Sequence, residues 1–189
     1  MEAILEDIET AIDAFLAPGH VCTVMGTEEY EQIVGKYYIP IIVTGFEPVD
    51  LLQGILMAVR QLESGDARLE LQYSRMVQPQ GNQISKKLLD KVFEPGDRDW
   101  RGIGLLPQSG YHLRPEWKSW DAAEKFASVR NNTTEITQCL SGEVMKGKIK
   151  PPQCPLFGKE CTPEHPVGAP MVSTEGACSA YYLYQRQGS

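Results

Sequence analysis

Cys139, Cys154, Cys161 and Cys178 all fall within the last 51 residues of a 189-residue chain, whereas the fifth cysteine, Cys22, stands alone. Four thiols gathered in one stretch are the donor set of a metal or cluster site, or of two disulfides. Thiolates are soft ligands that suit both iron–sulfur clusters and zinc. Their intervals of 15, 7 and 17 residues match neither the compact spacing of ferredoxins nor the paired short loops of zinc knuckles. Spacing alone therefore leaves cluster, zinc and disulfide open. The start of the chain, MEAILEDIE, carries acids where an export signal carries bases, and a reducing compartment favours metal over disulfide.

The segment around these cysteines differs from the rest. Residues 139–180 contain six prolines and five glycines, which allow no helix of ordinary length. Such a segment cannot build a large core from regular elements, and a metal crosslink would supply the missing constraint. Other chemistry finds little support. There is no phosphate-binding glycine loop, no nucleophile elbow and no zinc-protease motif. His112 and His165 have no convergent set of ligands around them in sequence. Cys22 reads as a small buried hydrophobe.

Composition narrows the field further. Lysine plus arginine number 18 against 25 acids, a net charge of −7, and 42% of residues are hydrophobic. That is ordinary globular composition. Residues 1–60 hold 10 acids and 2 bases, so the front of the chain offers no footprint for nucleic acid. The longest apolar runs fall far short of the roughly 20 residues that span a bilayer. The reading is a soluble, cytoplasmic protein with no membrane association.

The elements that would position these groups are α/β in character. The spacing of Ile4, Ile8 and Ile12 predicts a helix over 2–12, followed by a short strand near 14–16 and a turn at Pro18-Gly19. Thr27, with Glu28 and Glu29 behind it, predicts the cap of a helix over 28–34. Ile39–Thr44 is a continuous β-branched run, the pattern of a parallel strand covered on both faces. Gly45-Phe46-Glu47-Pro48 breaks it, and Leu51, Leu52, Ile55, Leu56 and Val59 supply the apolar set of the next helix. Glu47 and Asp50 stand where they could cap that helix. Ligands in such units bind at the carboxyl ends of strands, which makes His20 and the Gly45–Pro48 loop candidates for a cleft. Beyond them come a strand over 68–73, a helix over 83–93, a turn at Pro95-Gly96-Asp97, and a strand over 103–106. A loop at Pro107–Gly110, a helix over 121–129 and a boundary loop at Asn131–Thr134 follow.

Several long motifs occur in a recognisable order: PGHVCTVMG at 18–26, GFEPVDLLQGILMAVRQ at 45–61, Gln72-Tyr73-Ser74-Arg75 followed by Gly81-Asn82, WRGIGLLPQSG at 100–110, and PPQCPLFGKECTPEHPVGAPMVSTEGACSAYYLY at 151–184. The chain resembles the carboxyl-terminal half of the hydrogenase maturation family HypD over nearly its whole length. The resemblance implies a parallel-sheet domain with covering helices over 1–100, a segment over 101–138 that returns toward an absent first domain, and a small irregular cluster-binding domain over 139–189. It also implies that an amino-terminal half bearing redox thiols is missing, so that the chain would be a fragment.

The family's role, carried over, is that of a scaffold and electron-transfer component in assembling the Fe(CN)2CO centre of nickel–iron hydrogenases. Its partners would be a HypC-like small chaperone and a HypE-like cyanide donor. Cys139, Cys154, Cys161 and Cys178 fall on the positions that hold a 4Fe-4S cluster in the family. Where the family commonly has a further cysteine, two residues after the first, this chain has Ser141. His20, Glu47, Arg75, Arg101, Gln108 and Ser109 belong to the matching motifs and are candidates for the lining of the family's cleft, and the resemblance implies a transient Fe(CN)2CO group in the full-length complex. Phe157, Tyr181 and Tyr182 are expected to shield the cluster. The alternative on the same four thiolates is a zinc- or cluster-stabilised interaction module without redox duty.

Overall fold

The computed structural model of the chain describes residues 1–126 and 138–185. It divides into two compact units, Met1–Leu5 with Ile12–Val92 and Glu6–Ala11 with Phe93–Ser189.

The first unit is α/β. Strands β1 (Phe15–Pro18), β2 (Ile41–Thr44) and β3 (Leu69–Leu71) form a parallel sheet in that order, with Phe15 opposite Ile41 and Ile41 opposite Leu69. The β-branched run fills the central strand, and all four of its residues are buried. Helix α1 (Glu2–Leu5) precedes the sheet, and α2 (Gly19–Met25) starts directly from the end of β1. Helix α3 (Glu28–Tyr37) has three acids in its first turn, which complement its dipole. Thr27 precedes it, but its side chain makes no capping hydrogen bond. Helix α4 (Pro48–Ser64) opens on Pro48 and closes on Gly65 in the left-handed conformation. Helix α5 (Gln83–Val92) ends the unit. Ala17, Cys22, Val34, Ile41, Val43 and Val77 make its core.

Two expectations fail in this unit. The helix expected over 2–12 stops at Leu5, and Ile8 of its apolar stripe is 99% exposed. Residues 6–11 instead belong to the second unit. There Ala11 N–H donates to the Lys146 carbonyl at 3.0 Å, and Asp7 pairs with Lys146 at 2.8 Å and Lys148 at 3.1 Å. These contacts, Lys146 foremost, hold the Asp7 carboxyl well below the ordinary range. The second failure concerns α4. Its sheet-facing side consists of Asp50, Gly54, Ala58 and Gln61, not of the apolar set. A Cβ at Gly54 would collide with the Thr44 side chain, so the approach of helix to strand selects small residues.

The second unit begins with an antiparallel ribbon of β4 (Phe93–Trp100) and β5 (Gly104–Leu113). The turn expected at Pro95–Asp97 and the loop expected at Pro107–Gly110 are both inside these strands. Both strands of a two-stranded ribbon are edges, so neither proline removes a needed ladder bond. The reversal lies at 101–103, where Ile103 N–H donates to the Trp100 carbonyl and Gly102 takes φ +86°. A 3-10 turn (Pro115–Trp120) leads to α6 (Ala122–Lys125), capped by Asp121, whose carboxylate accepts the Ala123 and Glu124 N–H groups. The rest of the helix expected to 129, and the loop at 131–134, lie outside the described residues. The cysteine-rich part follows with α7 (Ser141–Met145), a 3-10 turn (Pro151–Gln153), α8 (Ala169–Val172) and α9 (Ala177–Gln185). No helix among the described residues is long and apolar enough to cross a membrane.

Candidate metal centre

The second core is built around the late cysteines. Cys154, Cys161 and Cys178 are buried with Val144, Leu156 and Met171, and Cys139, Ile149, Phe157, Val167 and Tyr182 pack against them. Each thiol arrives from a different short element. Cys139 precedes α7, and Cys154 ends the 3-10 turn that its N–H closes onto Pro151. Cys161 sits in a tight loop whose N–H bonds to the Leu156 carbonyl at 3.0 Å, while its own carbonyl accepts from Gly158, a residue at φ +69°. Cys178 lies in the first turn of α9. Prolines and glycines therefore do not leave this region structureless; they supply the turns that aim four side chains inward.

All four thiols are free. Val167 N–H points at the Cys161 sulfur at 3.4 Å, a donor that would stabilise a thiolate. Burial, and then charge on Cys161, Cys154 and Cys139, pushes the Cys178 thiol up to about 11. The Cys178 thiol therefore lies within electrostatic reach of the other three. An all-sulfur set in an apolar shell fits a thiolate-ligated iron–sulfur cluster. Among the described residues no group of three or more His, Cys, Asp or Glu side chains is arranged to hold a metal ion. Phe157 meets Tyr182 edge-on with ring centroids 6.1 Å apart, beside the cysteines. Ser141 is buried at the start of α7, where a Cβ on Gly102 or Gly168 would meet it.

A second polar cluster stands at the carboxyl ends of the parallel strands in the first unit. Arg75 donates to both oxygens of Asp50, at 3.0 and 2.7 Å, and Gln72 donates to the same carboxylate at 2.7 Å. Gln72 in turn accepts the Gly45 N–H at 3.2 Å. The Arg75 hydrogen bonds, followed by that from Gln72, hold the Asp50 carboxyl below its ordinary range. Arg75 also reaches to 3.8 Å from the exposed Glu47 and lies over the Tyr73 ring at 4.3 Å. His20 stacks obliquely on Phe46, with ring centroids 4.8 Å apart. Of the expected cleft residues, His20, Glu47 and Arg75 are thus brought to this edge. Glu47 occupies the cap position of α4 without a side-chain bond, and Asp50 serves the arginine. Gln72, which links the two loops, was visible only as part of a motif; its burial against Asp50 left no signal of its own.

Arg101, Gln108 and Ser109 lie in the ribbon of the second unit. Arg101 is exposed at the turn, with no ion pair among the described residues. Gln108 takes φ +51°, and its N–H donates to Asp97. Ser109 accepts from the Trp100 indole N–H and donates to the Leu106 carbonyl, each at 2.8 Å. In the first unit, Cys22 is fully buried, and burial raises its thiol's pKa.

Known proteins match this sequence along its length. The HypD family model, described as "Hydrogenase formation hypA family", matches residues 1–185. The hydrogenase maturation factor HypD of Escherichia coli is 44% identical over 190 aligned positions, covering 100% of this chain and 51% of that protein. That of Rhodobacter capsulatus is 44% identical, with 97% and 50% covered, and that of Cupriavidus necator is 40% identical, with 93% and 46% covered. The chain spans about half the length of the curated relatives it matches. With the family model matching from Met1 through the last described helix, the chain belongs to the HypD family.

Proposed function

We propose that this chain is an electron-transfer and scaffold component in the assembly of the Fe(CN)2CO centre of nickel–iron hydrogenases. The observation that carries the reading is the gathering of four free thiols, three of them buried in one core and Cys139 packed against it. Cys139, Cys154, Cys161 and Cys178 would hold a 4Fe-4S cluster, which when bound supplies one-electron redox chemistry. The surrounding residues do the rest. Phe157 and Tyr182 exclude water from the sulfurs, and the Val167 N–H stabilises negative charge on Cys161; both raise or lower a potential through burial and hydrogen bonding. In the first unit, the Asp50–Arg75 pair fixes the loop after β2 and presents one side of a guanidinium to an anionic cargo such as a cyanide-bearing iron group. A HypC-like chaperone and a HypE-like cyanide donor are the partners this role requires.

The all-sulfur donor set in an apolar shell supports a multi-iron cluster, with one zinc ion on the same thiolates as the alternative. Anaerobic determination of iron, acid-labile sulfide and zinc on the purified chain and on Cys154→Ala tests this. About four iron and four sulfide per chain, lost in the variant, are expected. One zinc without sulfide would sink the redox role and leave a zinc-stabilised interaction module.

A further inference from the structure

The cysteine core is clamped from outside its own segment. Cys139 and Cys154 end one stretch of chain, which runs through α7, reverses at Gly147 (φ +74°) and enters the 3-10 turn at Pro151. Val144 and Ile149, on either side of that reversal, pack into the same core as the thiols. The reversal itself is held by a strap, residues 6–11, in which Thr10 lies 136 residues before its partner Lys146.

Asp7 is the centre of the clamp. One carboxylate oxygen accepts the Glu9 N–H at 2.9 Å and shapes the strap, while the other pairs with Lys146 at 2.8 Å and Lys148 at 3.1 Å. Glu9 adds Lys148 at 2.9 Å, and Glu143 of α7 lies 3.7 Å from Lys146 and 3.6 Å from Lys148. The Lys146 carbonyl, one of the acceptors that the end of α7 leaves open, takes the Ala11 N–H at 3.0 Å and the Thr10 hydroxyl at 3.4 Å. Exposed ion pairs contribute little, but the side chains of Asp7, Lys146 and Lys148 are each less than a quarter exposed. Ile8 faces solvent, so these polar contacts, not apolar burial, seat the strap.

A metal centre needs its thiolates in place, and ordering them at the moment of binding lowers affinity. The strap restrains the middle of the stretch that brings two of the four. On the reading of the cysteine quartet as a metal centre, we propose that strap and centre are coupled: docking of residues 6–11 sets Cys139 and Cys154 for the metal, and metal on the thiols holds the strap down. Asp7 is then a positioning residue, and the coupling is reciprocal.

Hydrogen exchange over residues 6–11 reads the coupling from one side, in the chain reconstituted anaerobically with ferrous iron and sulfide and in the chain stripped by chelator. Loading should slow exchange of the strap at least about fivefold, and that of β5 in the same unit much less. Iron release to a chelator reads it from the other side. Asp7→Asn should speed release by a similar factor, and Asp7→Glu should recover most of the loss. Arg114→Met removes bonds to Phe93 and Glu94 elsewhere in the unit and should release iron at the wild-type rate, which separates the clamp from general stability. An iron-loaded chain whose strap exchanges equally with and without metal overturns the coupling and leaves the metal centre standing. Equal slowing in β5 also overturns it, because the metal would then steady the whole unit. A chain that takes up zinc but no iron, with the same slowing of the strap, sustains the coupling and sinks the redox role; one that takes up neither overturns both.

Discussion

Arg75 holds Asp50 with both arms of its guanidinium across 25 residues of sequence, Nη1 on Oδ1 and Nη2 on Oδ2. Asp50 is only 5% exposed, so an unpaired carboxylate there would be costly. The pair ties the first turn of α4 to the chain leaving β3. Gln72 extends the tie to the N–H of Gly45, the first residue of the loop that follows the central strand.

The coupling of Asp50 and Arg75 should depend on pH in one direction. Asp50 has a folded pKa below its unfolded value, so its contribution is complete above the ordinary carboxylate range near pH 4. It erodes as pH falls below that range and is gone once pH has passed through the depressed folded value. A double-mutant cycle of Asp50→Asn and Arg75→Met in urea should give a favourable coupling at pH 7 that shrinks toward zero below pH 4. A coupling that is constant over this range would remove the ion pair as its source.

Much of this arrangement was legible in the sequence, and the remainder failed for identifiable reasons. Strand β2 declared itself because a run of β-branched residues has no other economical placement. The cysteine quartet was legible from residue type, since thiols are scarce and these share one segment. The side of α4 that meets the sheet was not, because periodicity finds an apolar stripe without saying what covers it; Gly54 and Ala58 were the better guide. Pro95 and Pro107 were misread as turns because tolerance of proline depends on whether a strand has a neighbour on each side. The pairing of Asp7 with Lys148 spans 141 residues, a separation that no local pattern encodes.

The five cysteines should separate into two behaviours. Cys22 lies in the core of the first unit with its thiol pKa raised by burial, so it should resist alkylation at pH 8 until the protein unfolds. Cys22→Ala should cost about 1 kcal/mol of stability and leave iron and sulfide content unchanged. Cys154→Ala should abolish both. Loss of iron in the Cys22 variant would mean that the donor set has been drawn wrongly.

Phe157 packs against the core that contains Cys154, Cys161 and Cys178 and meets Tyr182 edge-on. Phe157→Ala should cost about 1–3 kcal/mol, less than for a fully buried ring, and should speed bleaching of the visible absorbance in air. Tyr184→Ala, on an exposed ring of the same helix as Tyr182, should bleach at the wild-type rate. Equal decay in all three proteins would deny the ring a shielding role.

Glycine to alanine should act with opposite sign at two helical positions. In either helix the substitution gains about 0.8–1 kcal/mol of intrinsic propensity. At Gly35 in α3 nothing lies within 4 Å of the new Cβ, so the gain should appear as added stability in urea unfolding. At Gly54 the methyl would overlap the Thr44 side chain and force α4 off β2, and overpacking of this kind costs about 1–3 kcal/mol. The overlap is with the branch of a buried residue whose χ1 is restricted by β-branching, so the steric cost should exceed the propensity gain. Gly54→Ala should therefore destabilise the first unit while Gly35→Ala stabilises it. Stabilisation at both positions would mean that α4 can move outward freely, and that its small-residue face does not hold it to the sheet.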